Sequence, residues 1–277
     1  MMEKKLKGIC IFLIVWFFIP GIPNPLSHLV VGAAADMYIQ KNYPGESLRI
    51  DEINYNFTDG VYSAHITRSG SVDSDFIISI ETWGRVINDG YEDNVKNGQN
   101  TALRLTKQYY DTVREIFPDR TYHDGGYLYI HGDISYSSRD SISPMEELDA
   151  INPYYSFITD DAVIDYEYDI STLGSGHGTL GIDYTGPNIS YQKSAEILLW
   201  AKEEMDKAGI GFYAVNLSLR VPPSGEHGER LPSDASIYII SFPYSEIYPE
   251  RLEKRIEYSY KELYEYWNEP ITYLGEE

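Results

Sequence analysis

The segment from Gly174 to Gly181 carries the residue types that most suggest chemistry. Its sequence, GSGHGTLG, contains a G-x-G-x-x-G pattern at residues 176–181 and places Ser175 two residues before His177. A dinucleotide site needs this pattern after a strand and at the start of a helix, whereas here a predicted strand follows it. Ser175 also lacks the G-x-S-x-G turn that holds a hydrolase nucleophile. We therefore predict a flexible turn between two strands, without nucleotide binding or a catalytic pair.

Residues 160–169 hold the densest cluster of carboxylates in the chain. Alternation predicts a strand here whose apolar face is formed by Ile164, Tyr166, Tyr168 and Ile170. Its solvent face then carries Asp165, Glu167 and Asp169. An EF-hand loop would need glycine at position 170, which is occupied by Ile170. We expect no cofactor and a solvated sheet face, with weak surface calcium binding as the alternative.

Histidines and tyrosines give weaker signals. The six histidines show neither the H-x-x-x-H nor the H-E-x-x-H spacing that is typical of zinc sites. Two interpretations are open for the tyrosines Tyr127, Tyr129 and the pair Tyr154-Tyr155. They pack against a helix, or they form a surface on which a ligand stacks, and packing is favoured. Two distant carboxylates can meet in any fold, so sugar hydrolysis stays open.

Charge and cysteine content exclude several function classes. The 277 residues include 43 acidic and 22 Lys or Arg side chains, which gives a net charge of −21. Such a chain repels phosphate backbones, so we expect no nucleic-acid partner. Cys10 is the only cysteine. Because Cys10 lies in the N-terminal apolar run, the rest of the chain can form no disulfide, thiol nucleophile or cysteine metal site.

Residues 1–25 are typical of a signal-anchor segment. Lys4, Lys5 and Lys7 precede an apolar run over residues 9–19, which Pro20 and Gly21 end. This order predicts an uncleaved, single-pass anchor in the cell membrane, with the rest of the chain extracytoplasmic. The residues that we expect to contact lipid are Ile9, Ile11, Leu13, Val15, Phe17 and Phe18.

The remaining chain predicts an α+β fold in two domains, each with an antiparallel sheet and helices packed on one face. Residues 26–118 indicate a helix, three antiparallel strands and a second helix. Residues 119–277 indicate a less regular repetition of that theme, with a short helix near Pro144 and helices at residues 190–208 and from Pro249. The predicted buried face of the first helix includes Leu26, Leu29, Val30, Ala33, Met37 and Tyr38. That of the last strand is formed by Tyr238, Ile240 and Phe242.

Several sequence blocks resemble the YfjL-like proteins of Gram-positive bacteria. Beyond the anchor, these blocks are Asn24-Pro25, Ala33-Ala34-Ala35, Lys41-Asn42-Tyr43-Pro44, INYNFTDGVY at 53–62 and Tyr91-Glu92-Asp93. The resemblance covers residues 1–118 best and continues through the second half. It implies a membrane-anchored, two-domain extracytoplasmic protein and provides no catalytic residue. The helix followed by a meander is also similar to the PepSY and cystatin-like group, whose members tend to bind or restrain other proteins.

Three functional hypotheses follow from these patterns. The first is a non-enzymatic, membrane-tethered module that binds or regulates another surface protein or a wall component. The second is an extracellular hydrolase whose carboxylates meet only in the fold, which requires a cleft with two facing acids. The third is a passive structural spacer, which requires rigid domains without a concave site.

Overall fold

A computed structural model describes residues 23–118, 121–123, 125–141, 156–231 and 234–268. The predicted anchor residues 9–18, the predicted short helix near Pro144 and the tyrosine pair 154–155 lie outside these ranges. Within the described ranges, no helix is both long enough and apolar enough to cross a membrane.

The chain separates into two compact units. The first contains residues up to Thr101 together with Thr159–Tyr166, and the second contains Ala102–Ile158 and the chain from Glu167 onward. The predicted domains 26–118 and 119–277 stay a prediction.

The first unit packs one long helix on a four-stranded antiparallel sheet with strand order β1-β2-β3-β4. Its elements are α1 (Pro25–Asn42), β1 (Leu48–Asn56), β2 (Val61–Arg68), β3 (Phe76–Ile80) and β4 (Val86–Asp89). The helix starts at a capping box, in which the Asn24 side chain accepts a hydrogen bond from the Ser27 backbone N–H at 2.9 Å. The predicted helix and three strands are confirmed, and β4 is an additional strand.

The buried face of α1 differs from the predicted one. Its buried side chains are Ser27, Val31, Ala35 and Ile39. Leu29 and Met37 instead expose 71% and 66% of their surface. The predicted face and the observed face are adjacent on the helix surface. A polar contact favours the observed face, because Ser27 Oγ lies 2.7 Å from the Tyr62 hydroxyl of β2.

A short π-helix (Tyr91–Lys96) leads into α2 (Gln99–Ile116). The division between the units falls inside α2, after Thr101. Hydrophobic spacing through Leu103, Thr106 and Tyr110 also predicted α2. Its buried side chains instead include Leu105 and Tyr109, together with Val113, and Leu103 is exposed.

The second unit is built on a five-stranded sheet with strand order β11-β10-β9-β6-β5. Its elements are β5 (Thr121–His123), β6 (Gly126–Ile134), β7 (Tyr136–Ser137), β8 (Phe157–Ile158), α3 (Ile170–His177), β9 (Gly178–Thr185), α4 (Tyr191–Ala208), β10 (Ala214–Arg220), β11 (Ser236–Pro243) and α5 (Leu252–Asn268). The α+β prediction is confirmed, but this sheet is not purely antiparallel, since β9 and β10 run parallel. Parallel neighbours need a long crossover connection, and α4 supplies it.

One face of this sheet is buried against helices. Alternate residues of four strands form it: Leu128, Ile130, Leu180, Ile182, Tyr184, Leu217, Leu219, Ile237 and Ile239. The prediction that Tyr238 and Ile240 share this face was wrong. Ser241 adopts φ 53° next to a register shift between β10 and β11, so Phe242 joins Ile237 and Ile239 on the buried side.

The predicted strand through Ile164 and Ile170 is also wrong. Residues 162–169 contain no strand, and Ile170 begins α3. Asp165 lies in a turn with φ 60° and binds the loop before β3 within the first unit. Its Oδ1 accepts hydrogen bonds from Ser71 Oγ at 2.9 Å and from two backbone N–H groups, Val72 at 2.8 Å and Asp73 at 3.1 Å. In return, the Asp165 N–H donates to Asp73 Oδ2 at 2.9 Å.

Replacing Asp165 should separate the effect of its carboxylate from that of its backbone geometry. Asp165→Ala removes the acceptor and places a residue at positive φ that disfavours it, so we expect the free energy of unfolding to fall by about 1–3 kcal/mol. Asp165→Asn keeps one acceptor oxygen and tolerates this φ, so its loss should be below about 1 kcal/mol. Urea unfolding of the full chain measures both values. Equal losses in the two variants would contradict this role for the Asp165 side chain.

Candidate functional site

The glycine-rich segment forms packing contacts and is not the predicted flexible turn. The part of this segment before Gly178 belongs to α3, which ends at His177, and β9 begins at Gly178 without an intervening loop. The G-x-G-x-x-G pattern therefore spans a helix end followed by a strand, which is the reverse of the order that a dinucleotide site requires.

The glycines make room for the ring of Tyr109, a fully buried residue of α2. A Cβ atom at Gly132 would lie 2.8 Å from Tyr109 Cε1, one at Gly174 would lie 2.6 Å from Cε2, and one at Gly178 would lie 2.7 Å from Cζ. All three distances are shorter than van der Waals contact. The Tyr109 hydroxyl donates to the backbone oxygen of Gly211 at 3.0 Å. Burial raises the pKa of this phenol above its ordinary range, so its hydroxyl stays protonated and remains a donor. We call Gly132, Gly174, Gly178 and Gly211 the glycine socket.

Ser175 and His177 make separate contacts. Ser175 Oγ donates to the Ser171 backbone oxygen at 2.9 Å, a bond within the helix. The His177 ring packs edge-on against Phe157, with ring centroids 5.7 Å apart. These contacts belong to helix bonding and ring packing.

The predicted acid face does not exist as a strand surface. Asp165 binds the loop before β3, and Asp169 caps α3 by accepting from the Thr172 N–H at 3.1 Å. Among the residues that the structure describes, no group of three or more His, Cys, Asp or Glu side chains could hold a metal ion. Weak surface calcium binding stays a prediction.

The candidate site is the sheet face of the second unit that lies opposite the helices, which we call the open face. Strand register places its side chains in two rows. The first row runs Tyr129, Asp183, Ser218 and Tyr238 across β6, β9, β10 and β11. The second row runs Tyr127, Thr185, Arg220 and Ser236. Because directly opposed residues on one face are neighbours, the eight side chains form a continuous surface.

Arg220 connects the two rows. Its guanidinium donates to Asp183 Oδ1 at 2.7 Å, and its Nε donates to Ser218 Oγ at 2.7 Å. The guanidinium carbon also lies 5.7 Å from the centroid of the Tyr238 ring. Tyr127, with 60% of its surface exposed, borders a shallow cavity of about 400 Å³ beside this ion pair. The open face therefore offers aromatic rings next to a carboxylate and a guanidinium that both reach solvent.

A stacked ring pair supports the β6 side of the open face. Tyr129 and His131 stack with centroids 5.4 Å apart and an interplanar angle of 27°. The His131 ring lies directly over Gly181, where a Cβ atom would be 2.2 Å from His131 Cε1. The Tyr129 hydroxyl also lies 3.3 Å from that of Tyr110. These contacts hold Tyr129 in one orientation.

Sequence analysis identified only part of this surface. Packing was the favoured interpretation of Tyr127, whose side chain is 60% exposed. Asp183, Arg220 and Tyr238 were not selected. Alternation in β9 could have indicated Asp183, since Gly181, Asp183 and Thr185 alternate with buried Leu180, Ile182 and Tyr184.

Comparison with protein families gives two matches in this chain. The model of the YfjL-like N-terminal domain matches residues 2–90, and that of the YfjL-like C-terminal domain matches residues 139–257. A solved structure, a DUF5037 family protein from Ruminococcus gnavus ATCC 29149, is 16% identical and aligns over 83% of this chain and 99% of its own, with a TM-score of 0.24. No curated protein matches the chain.

Two glycines of the same segment should respond oppositely to alanine if the glycine socket explains the motif. Gly178→Ala should lower the free energy of unfolding by about 1–3 kcal/mol, because the new Cβ overlaps the Tyr109 ring and the Gly174 backbone oxygen. A Cβ atom at Gly176 would have no other atom within 4 Å, and this residue lies in α3. Gly176→Ala should therefore raise the free energy of unfolding by about 0.5–1 kcal/mol. Urea unfolding of both full-length variants measures the difference. Equal losses would contradict the packing role.

Proposed function

This chain belongs to the YfjL-like family, and we propose that it is a non-enzymatic, membrane-tethered extracytoplasmic module that binds another surface protein through the open face. The tether rests on the sequence order of Lys4, Lys5 and Lys7 before the apolar run at residues 9–19, which orients the rest of the chain outward.

The composition of the open face carries this proposal. Tyrosine and arginine are the residue types that dominate binding energy at protein interfaces, and this surface combines Tyr127, Tyr129 and Tyr238 with Arg220. A tyrosine side chain loses little conformational entropy when a partner immobilises it, because only two side-chain dihedrals are fixed. Tyr129 loses less still, because His131 and Tyr110 already contact it.

The shape and charge of the open face favour a protein over a small molecule. The side chains spread across four strands, and the cavity of about 400 Å³ beside them borders the exposed Tyr127. A net charge of −21 attracts a cationic surface from a distance and increases its rate of encounter. Arg220 and Asp183 then give local specificity, since each side chain is partly exposed and can pair with a group on the partner.

Photocrosslinking in living host cells tests this function. A photoreactive phenylalanine at position 127 of the full chain should yield a saturable adduct with a defined protein. The matched control is the same amino acid at Phe57, which is 81% exposed in the first unit and should not form that adduct. A wall polymer in place of a protein, or the same adducts from both positions, would contradict the proposal.

Arginine truncation provides the second arm of that experiment. Arg220→Ala should lower the yield of the position-127 adduct at least about tenfold, as expected for a hot-spot residue. Arg85→Ala is the matched control, because Arg85 forms an exposed ion pair with Glu81 within the first unit. Equal yields from the two variants would exclude Arg220 from the interface.

A further inference from the structure

A second surface of the second unit has the features of a peptide site, and it does not depend on the function proposed above. β11 is the edge strand of the five-stranded sheet, and α5 runs beside it. Between them lies a groove of about 630 Å³, lined by residues 240–243 and by one side of α5. We call it the edge groove.

Among the strands that the structure describes, none pairs with the outer edge of β11. The Val221 N–H donates to the Ala235 backbone oxygen at 3.2 Å, which marks these two residues as a hydrogen-bonded pair of the β10–β11 ladder. In an antiparallel ladder such pairs alternate, so the N–H and C=O groups of Ser236, Tyr238 and Ile240 point away from β10. Pro243 has no N–H and ends this edge. An extended chain can therefore pair with β11 along residues 236–240.

The walls of the edge groove are apolar in the middle. Ile240 and Tyr258 expose much of their side chains, whereas Phe242 and Leu263 are buried beneath them. In an extended peptide every second side chain points the same way. Apolar residues at alternate positions of a peptide, on the side that faces α5, would thus contact Tyr258.

One end of the edge groove is basic. Arg255 is fully engaged, since it pairs with Glu246 at 3.3 Å and donates to the Tyr248 backbone oxygen at 2.7 Å. Arg251 and Lys254 are exposed and, among the described residues, have no ion-pair partner. Both lie at the start of α5, where the helix dipole adds positive potential. Two available cations in a chain of net charge −21 favour an acidic group at this end.

We propose that the edge groove binds an extended peptide segment of another protein by strand addition to β11. The segment carries apolar residues at alternate positions and an Asp or Glu beside Arg251 and Lys254. Main-chain hydrogen bonds to Ser236, Tyr238 and Ile240 supply affinity, and the apolar wall with the basic end supplies sequence preference.

Selection from a random-peptide library against the full-length chain in detergent tests the proposal. The enriched peptides should alternate apolar residues and carry an acid near one end. N-methylation of one enriched peptide should weaken binding at every second backbone nitrogen, because only those nitrogens would donate to β11. An enriched peptide that tolerates N-methylation at all positions would overturn strand addition, as would a selection without enrichment.

Charge reversal on α5 tests whether the peptide binds in the edge groove. Lys254→Glu should weaken binding of the acidic peptide at least about tenfold. Lys261→Glu is the matched control, because Lys261 pairs with Glu257 on the same helix outside the groove, and its effect should stay below about twofold. Equal effects would overturn the assignment. Peptide binding that appears only in a chain ending at Asn268 would also overturn it, since the residues beyond α5 would then be the natural occupant.

Discussion

The second unit depends on the burial of one tyrosine side chain against four glycines. Tyr109 projects from α2 into the glycine socket, whose members come from β6, α3, β9 and the chain before β10. Any side chain at Gly132, Gly174 or Gly178 would overlap the ring or its partners. The buried hydroxyl keeps a hydrogen-bond partner, because it donates to the Gly211 backbone oxygen. This contact fixes α2 on the same sheet face as the buried side chains of β6 and β9, and on the opposite face Tyr127, Asp183 and Arg220 reach solvent.

The socket also explains why a segment rich in glycine, serine and histidine carries no catalytic geometry. Glycine is needed where an aromatic ring packs closely against the backbone, and it is needed equally in a loop that binds phosphate. The sequence pattern alone does not distinguish these two roles. In this protein the spacing of Gly174 and Gly178 matches one turn of α3 followed directly by a strand, so both can face Tyr109. Gly181 serves a similar purpose on the open face, where it admits the ring of His131.

Local sequence signals predicted the helices and most strands, whereas the faces of those elements needed tertiary information. Ser190 and Gly209 mark the ends of α4 as expected, because capping depends on neighbouring residues only. The buried stripe of α1 was misassigned because Ser27 contacts a tyrosine on β2, which no helical periodicity reveals. The bulge at Ser241 shifted the alternation of β11, and the turn at Asp165 replaced a predicted strand because loop N–H groups bind its carboxylate. The open face combines residues from four strands, so only the register brings Tyr129, Asp183, Ser218 and Tyr238 together.

We propose that the open face is the surface through which this protein binds its partner. Hydroxyl-radical footprinting tests it most directly, because tyrosine side chains react readily and their modification can be located by mass spectrometry. The full chain would be labelled on intact host cells and, separately, after purification in detergent. If the open face binds the partner, Tyr127, Tyr129 and Tyr238 should react more slowly on cells, while Phe57 should react equally in both samples. Unchanged reactivity at the three tyrosines, with protection elsewhere in the chain, would contradict this role of the open face.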